Sequence, residues 1–367
     1  MTNGEEHFHN GFRYSIDYAD ENNIPVIEHS KPRPDFLFKY YPMNNYSVNA
    51  LTYGYFYASH PLELNDCLDS SPLLLFTSKP LEFELYDKFF GFMYENNRQK
   101  LIDYWKEDCE KESRCKGYIA NMYTLVTSRY GLISMTEKEN HTLMWPHYTG
   151  EKGFQLKFRA AELEESIENN LKNGKGQYLG LHPINYVNEL KPIDIYPFKT
   201  LYVPFAYSAN VKAEDWEYEQ EWRFLISNFN MGVPFSKAGL NTIPDIQGNI
   251  KNRKTYYDSD LIVEICLGRN FFTQENFEIE QITKMEFRVK PKHKTPDDIN
   301  IHEEMMKFIS SRMNDRVYHS GVKYEFNEKG SPFLMRTKEQ IEIKLQEGGW
   351  YQLNRTANVI KYMGSTD

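Results

Sequence analysis

Two short stretches hold most of the residues able to do chemistry. In "DWEYEQEWRF", residues 215 to 224, carboxylates recur at every second position, Glu217, Glu219 and Glu221, and Arg223 follows. Side chains alternate along a strand, so these four would share one face and Tyr218, Gln220, Trp222 and Phe224 the other. Carboxylates two apart on a strand lie roughly 6.5 to 7 Å from each other. At that spacing one can hold a ribose hydroxyl while its neighbour steers or deprotonates an acceptor. The plainer reading is an exposed face laced by Glu221 and Arg223. In "TLMWPHYTGEKGFQLKF", residues 142 to 158, Met144, Trp145, His147 and Tyr148 crowd together ahead of an alternating apolar run. Pro146 argues against a regular helix, and Gly150 and Gly153 free the backbone to approach a ligand. Aromatic side chains of this kind stack on flat rings such as nicotinamide or adenine. Met144 and Trp145 serve equally well as a core plug, and a lone histidine such as His147 is commonly a hydrogen-bonded structural residue.

The elements that must position these residues follow from periodicity. "FLFKYY" (36 to 41) and "YFYASH" (55 to 60) have strand composition, and the segment between them fits a short helix capped by Asn45 or Ser47. From Lys79 to Asn121, apolar residues recur three and four apart (Phe83, Leu85, Phe89, Phe92, Met93, Leu101, Ile102, Tyr104, Trp105), which predicts packing helices. "YGLISMT" reads as a strand ending near Ser134, and "GFQLKF" as another with Phe154, Leu156 and Phe158 on one face. "AAELEESIENNLKNGKG" is an amphipathic helix closed by glycine. Strands are expected again at "INYVN", "TLYVPFAYS", "EWRFLIS" and "LIVEICLG". Helices and strands are interspersed without regular alternation, so the fold class is α+β with mixed sheets and packing helices. Residues 1–34 read as a polar tail, 35–290 as the main domain, and 291–367 as an appendage of one helix and a β-hairpin.

Composition bounds the function. Of 367 residues, 43 are Lys or Arg and 52 Asp or Glu, a formal net charge of −9. This disfavours a general attraction to nucleic acid or anionic lipid, and the basic runs "KNRK" and "KPKHK" read as solvated loops. The 27 Tyr and 24 Phe mean that much of the interior is built from rings. Cys67, Cys109, Cys115 and Cys266 form no C-x-x-C pair, so no zinc ribbon or redox motif is expected and a reduced, cytoplasmic chain is favoured. The N-terminus lacks the pattern of a signal peptide, and no stretch approaches a membrane span. "HFH" (7 to 9) has no third ligand at a sensible spacing, so no metal is predicted. Asn65 and Asp66 in "LELND" read as a turn.

Taken in order, "FLFKYY", "YFYASHPLELND", "ISMTEKENHTLMWPHYTGEKGFQLKF", "INYVN", "WEYEQEWRF" and "LIVEICLG" resemble the bacterial family called domain of unknown function 2971. The resemblance spans roughly 36 to 290, and Met-Trp-x-His-Tyr and Glu-x-Glu-Trp-Arg are its most specific parts. Cys67 stands where the family usually has proline. A second likeness is to ADP-ribosyltransferases: a basic residue on a first strand, a later aromatic region, and a final Glu-x-Glu. That likeness implies a split-sheet core holding NAD as co-substrate, with Glu221 and Glu219 as the catalytic carboxylates alongside His147. Lys39, Tyr40, Trp145, Tyr148 and Arg223 would bind the cofactor, although Lys39 replaces the usual Arg or His and no Ser-Thr-Ser element is present. The function expected on this basis is an intracellular NAD-consuming transferase acting in phage defence or as a toxin-like effector on an unknown acceptor. Two alternatives stand beside it. One is a non-catalytic module binding a nucleotide or a partner protein, in which Glu-x-Glu-Trp-Arg is a structural ion-pair network. The other is a metal-dependent nuclease using Asp66, Glu219 and Glu221.

Overall fold

The apolar-rich segments Phe36–Tyr41, Phe154–Arg159 and Ile262–Leu267 form neighbouring strands in a computed structural model of the chain. The structure describes residues 4–20, 24–109, 116–174, 176–233, 248–293, 300–313 and 315–362. Of the sequence-stretch readings above, Cys115 and the side chains of Phe89, Phe92, Met93 and Cys109 lie outside what is described. The chain divides into two units: Met1–Pro32, Tyr57–Ser134 and Ile167–Thr255 make the first, and Arg33–Phe56, Met135–Ser166 and Tyr256–Asp367 the second.

In the second unit one mixed sheet runs in the order Phe277–Gln281, Glu286–Pro291, Tyr351–Tyr362, Pro332–Leu345, Val317–Phe326, Ile262–Leu267, Phe154–Arg159, Phe36–Tyr41. Neighbours are antiparallel except for Ile262–Leu267 with Val317–Phe326. Helices Asn45–Thr52 and Ile301–Arg312 pack on each other. Each starts at an asparagine whose side chain accepts a backbone N–H: Asn44 from Ser47, and Asn300 from His302 and Glu303. Leu37, Val48, Leu51, Leu156, Phe158, Ile265, Met305, Met306 and Ile309 are buried and supply the apolar core. The opposite sheet face is covered as well, because Gln155 is as enclosed as the phenylalanines beside it. Residues past 291, expected to stand apart, instead supply three strands and a core helix of this unit.

The first unit begins with the segment read as a tail. Gly4–His9, Phe12–Asp17 and Val26–Glu28 form a three-stranded antiparallel sheet that buries Tyr14, Ile16 and Ile27. Asn10 and Gly11 close its first hairpin with φ of 48° and 79°, the left-handed pair that matches strand twist. The polar composition misled because only alternate residues face inward. Helices Phe83–Phe90, Arg98–Cys109 and Lys116–Thr127 occupy the region of predicted packing helices. Glu221–Ser227 pairs antiparallel with Gln177–Pro183 and is flanked on its other side by Tyr130–Thr136. "TLYVPFAYS" is not a strand: Tyr202–Ser208 is a helix with residues 203 to 208 all buried. Pro204 sits in its first turn, where a missing N–H has no intrahelical partner to lose.

Candidate functional site

Residues 211 to 223 do not form the continuous strand that the alternation of carboxylates suggests. Val211–Ala213 is a short strand, Glu214–Glu219 a 3₁₀-helix, and Glu221–Ser227 the strand that follows. Between the last two, Gln220 has φ of 42°. This left-handed residue resets the direction of the chain, so Glu219 and Glu221 both turn inward while Glu217 stays exposed. The strand after it is buried on both faces rather than half-solvated.

The inward carboxylates enclose two cations. Lys212 Nζ lies 2.7 Å from Glu219 Oε2, 2.9 Å from Glu221 Oε2 and 3.6 Å from Asp69 Oδ2. Arg223 Nε donates to Glu221 Oε1 at 2.6 Å and Nη2 to Oε2 at 3.1 Å. Its Nη1 donates to Asp69 Oδ1 at 2.8 Å, Ser70 Oγ at 3.1 Å and the Ala209 carbonyl at 3.0 Å, and Nη2 also reaches Asp69 Oδ2. The five side chains are 1 to 5% exposed. The Glu221 N–H donates to the Tyr186 hydroxyl at 2.9 Å, and Lys212 lies 5.0 Å from the centre of the Trp216 ring. Burial pushes the Glu221 carboxyl up, but Arg223 and Lys212 outweigh it and hold the group well below the usual carboxylate range. Burial likewise opposes the charge on Lys212, and the surrounding carboxylates, Glu221 foremost, reverse that and hold it above its ordinary value.

Asp69 and Lys212 are the members that sequence reasoning missed. Asp66 drew attention as the polar end of "LELND", yet its side chain accepts the Leu68 N–H as a local turn residue. Three residues later Asp69 is buried and meets Arg223 in two parallel hydrogen bonds. The available signal was the run Asp69-Ser70-Ser71 after a turn, and it carries no distance information.

Lys39, Tyr40, Trp145, His147 and Tyr148 belong to the second unit, whereas Glu219, Glu221 and Arg223 belong to the first. Despite Pro146, Met144–Thr149 is a helix, since that proline too occupies a first turn. Gly150, with φ of 58°, ends it. Trp145 is 0% exposed: its Nε1 donates to Asn140 Oδ1 at 2.7 Å, Tyr40 meets it edge-on at 5.2 Å, and Arg336 lies over it at 5.9 Å. The Tyr40 hydroxyl accepts from the His141 N–H at 2.8 Å. Lys39 sits 5.9 Å from the Tyr41 ring, His147 is exposed and Tyr148 half-buried. Gly153 is needed for a backbone rather than a ligand, because a Cβ there would fall 1.9 Å from the Tyr41 carbonyl oxygen.

The second unit carries a charged cluster of its own that no sequence motif announced. Lys338 is held between Glu139 and Glu264, and Lys157 lies 3.2 Å from Glu139 and 3.7 Å from Glu264. Burial leads in both carboxyls, yet Lys338 brings Glu139 below its ordinary value while Glu264 stays above.

A cleft of about 450 Å³ opens in the first unit beside the Asn10-Gly11 turn, lined by His9, Phe12, Arg13 and His29 among others, and not by Glu219 or Glu221. Asn10 Nδ2 donates to Asn185 Oδ1 and to the Tyr186 carbonyl, both at 2.9 Å, so its wall is tied to the residue that receives the Glu221 N–H. Among the described residues, no group of three or more His, Cys, Asp or Glu is placed to hold a metal ion, and no helix is long and apolar enough to cross a membrane.

Residues 144–224 match the family described as protein of unknown function (DUF2971). The match begins at Met144 and ends just past Arg223, so it takes in both motifs. No curated protein and no solved structure matches the chain. None of these comparisons carries the likeness to ADP-ribosyltransferases.

Proposed function

We propose that the first unit is a non-catalytic binding module, with Glu-x-Glu-Trp-Arg as its internal frame. The observation behind this reading is that both oxygens of Glu221 are engaged by Arg223 and Lys212 in a nearly solvent-free setting. A carboxylate so held must leave two cations before it can meet a developing positive charge on a substrate, and unpairing buried ions costs several kcal/mol, about 3–5. The network is suited to fixing the 3₁₀ turn that presents the half-buried Trp216 and Tyr218, and to bracing the cleft wall through Tyr186. Ligand-facing surface of this kind fits a planar group, as in a nucleotide, or an aromatic-anchored segment of a partner protein. Free thiols at Cys67 and Cys266 suit a reducing compartment, the cytoplasm.

One observation favours the second reading, an NAD-consuming transferase: Glu221 is ionised in a dry setting, as a carboxylate that stabilises an oxocarbenium-like ribose must be. A single experiment separates the two. Purified protein and its Glu221→Gln variant are incubated with NAD and cell lysate, and nicotinamide release is followed. The binding-module reading expects no release from either protein. Release from the parent that disappears in the variant, with the fold intact by circular dichroism, overturns it in favour of the transferase.

A further inference from the structure

Strand Val317–Phe326 is paired along its whole length on one side only. Pro332–Leu345 accompanies it from Val317↔Ile341 to Phe326↔Pro332, while Ile262–Leu267 borders it only at Val317, Tyr318 and His319. From Ser320 to Phe326, therefore, one edge of its backbone has no neighbouring strand among the described residues. Among the described residues, Tyr351–Tyr362 accompanies the hairpin only as far as Arg336↔Tyr362, so the end of the hairpin as described there is a two-stranded ribbon. Such ribbons are marginal in water by themselves. This one nevertheless exposes Tyr324 at 73%, Phe326 at 67% and Leu334 at 65%.

Open edges invite strand addition, and charge placement decides whether a second copy is repelled. The terminal strand on one side of this sheet, Phe277–Gln281, reads "FEIEQ". Pairing it antiparallel with itself about Ile279 sets Glu278 against Glu280 twice, a repulsive arrangement. The open edge at 322 to 326 reads "VKYEF" and has the reverse property. Antiparallel pairing about Tyr324 sets Lys323 of each copy against Glu325 of the other, Val322 against Phe326, and Tyr324 against Tyr324. Strand alternation keeps Val322, Tyr324 and Phe326 on one face and the two charges on the other. Glu325 already lies 2.6 Å from Lys361 of its own chain, so in the pair it would stand between two ammonium groups.

We propose that this edge is a self-association surface, on which a second copy of the chain adds its own 322–326 segment antiparallel about a two-fold axis at Tyr324. The contact is isologous and extends one sheet into the next. Two aromatic rings, one valine and a short stretch of backbone bury roughly 400–500 Å² per copy, below the about 800 Å² per partner of a standard interface. The dimer is accordingly weak and reversible.

The test is sedimentation velocity of the full chain over a concentration series, with Lys323→Glu and Glu325→Lys made separately. Each variant alone sets like charges opposite each other twice and raises the dimer dissociation constant by about tenfold or more. An equimolar mixture of the two variants restores association, because each heterodimer regains both opposite-charge pairs. Thermal melts check that these surface changes leave the fold unaltered. A parent chain that stays monomeric at its highest soluble concentration overturns the proposal. So does a dimer that neither variant weakens, or a mixture that fails to recover.

Discussion

Replacing Glu221 by glutamine removes one charge from the centre of the buried network without changing its shape. The carboxylate takes Arg223 Nε at 2.6 Å, Arg223 Nη2 at 3.1 Å and Lys212 Nζ at 2.9 Å. A glutamine keeps one acceptor oxygen, and its amide NH₂ must face cationic donors with whichever end it offers them. If the oxygen stays on Arg223 Nε, the NH₂ meets Lys212 Nζ and Arg223 Nη2, donor against donor. Asp69 and Glu219 remain to neutralise the two cations, which keeps the loss near the lower end for a broken buried pair, about 3 kcal/mol. For a unit of this size that is a fall in Tm of about 6–12 °C. Calorimetry on the full chain measures it, with Glu217→Gln, an exposed carboxylate of the same turn, as the control expected to stay within about 0.5 kcal/mol. The pH profile supplies an independent check. The folded-state pKa of Glu221 is depressed, so its contribution is present above the ordinary glutamate value and drains away as pH falls below it. Glu221→Gln should therefore cost most at neutral pH and progressively less in acid. A variant as stable as the parent at pH 7, or a difference that grows on acidification, refutes the network as the frame of the unit.

Two further outcomes test the second unit. Lys338→Met leaves Glu139 and Glu264 facing each other with only Lys157 nearby, which raises the folded-state pKa of the pair above the unfolded value. Stability of that variant should decline as pH rises above the ordinary glutamate value, and a urea midpoint that is flat from acid to neutral buffer contradicts this. Gly153→Ala places a Cβ 1.9 Å from the Tyr41 carbonyl oxygen and should lower stability by about 2 kcal/mol or more, read from denaturant midpoints. Unchanged stability would mean that the strand can shift there at no cost.

Most helices and strands of this chain were legible because their signals are local. Apolar spacing marked Phe83–Phe90, Arg98–Cys109 and Ala160–Asn173 as helices, strand composition marked Phe36–Tyr41, and strict alternation marked Phe154–Arg159. Pro146 misled as a helix breaker, and the apolar run around Pro204 misled as a strand. In Met144–Thr149 and Tyr202–Ser208 the proline lies in a first turn, where it is tolerated, and a short apolar run cannot declare whether its proline opens a helix or breaks one.

Local sequence carried most of the kinds of element, the mixed α+β class and the two motif stretches, since propensity, period and residue type act over a few neighbours. Tertiary structure decided everything that depends on meeting across distance. It brought Asp69 to Arg223 and both glutamates to Lys212, enclosed Trp145 between Tyr40 and Arg336, and set Lys338 beside Glu139 and Glu264. The left-handed turn at Gln220 is the hinge between the two levels, because it converts an alternating row of carboxylates into a buried ion network that spacing along the chain does not encode. Burial and charge compensation, which decide whether a glutamate is a reagent or a girder, are properties of the packed interior and not of the chain.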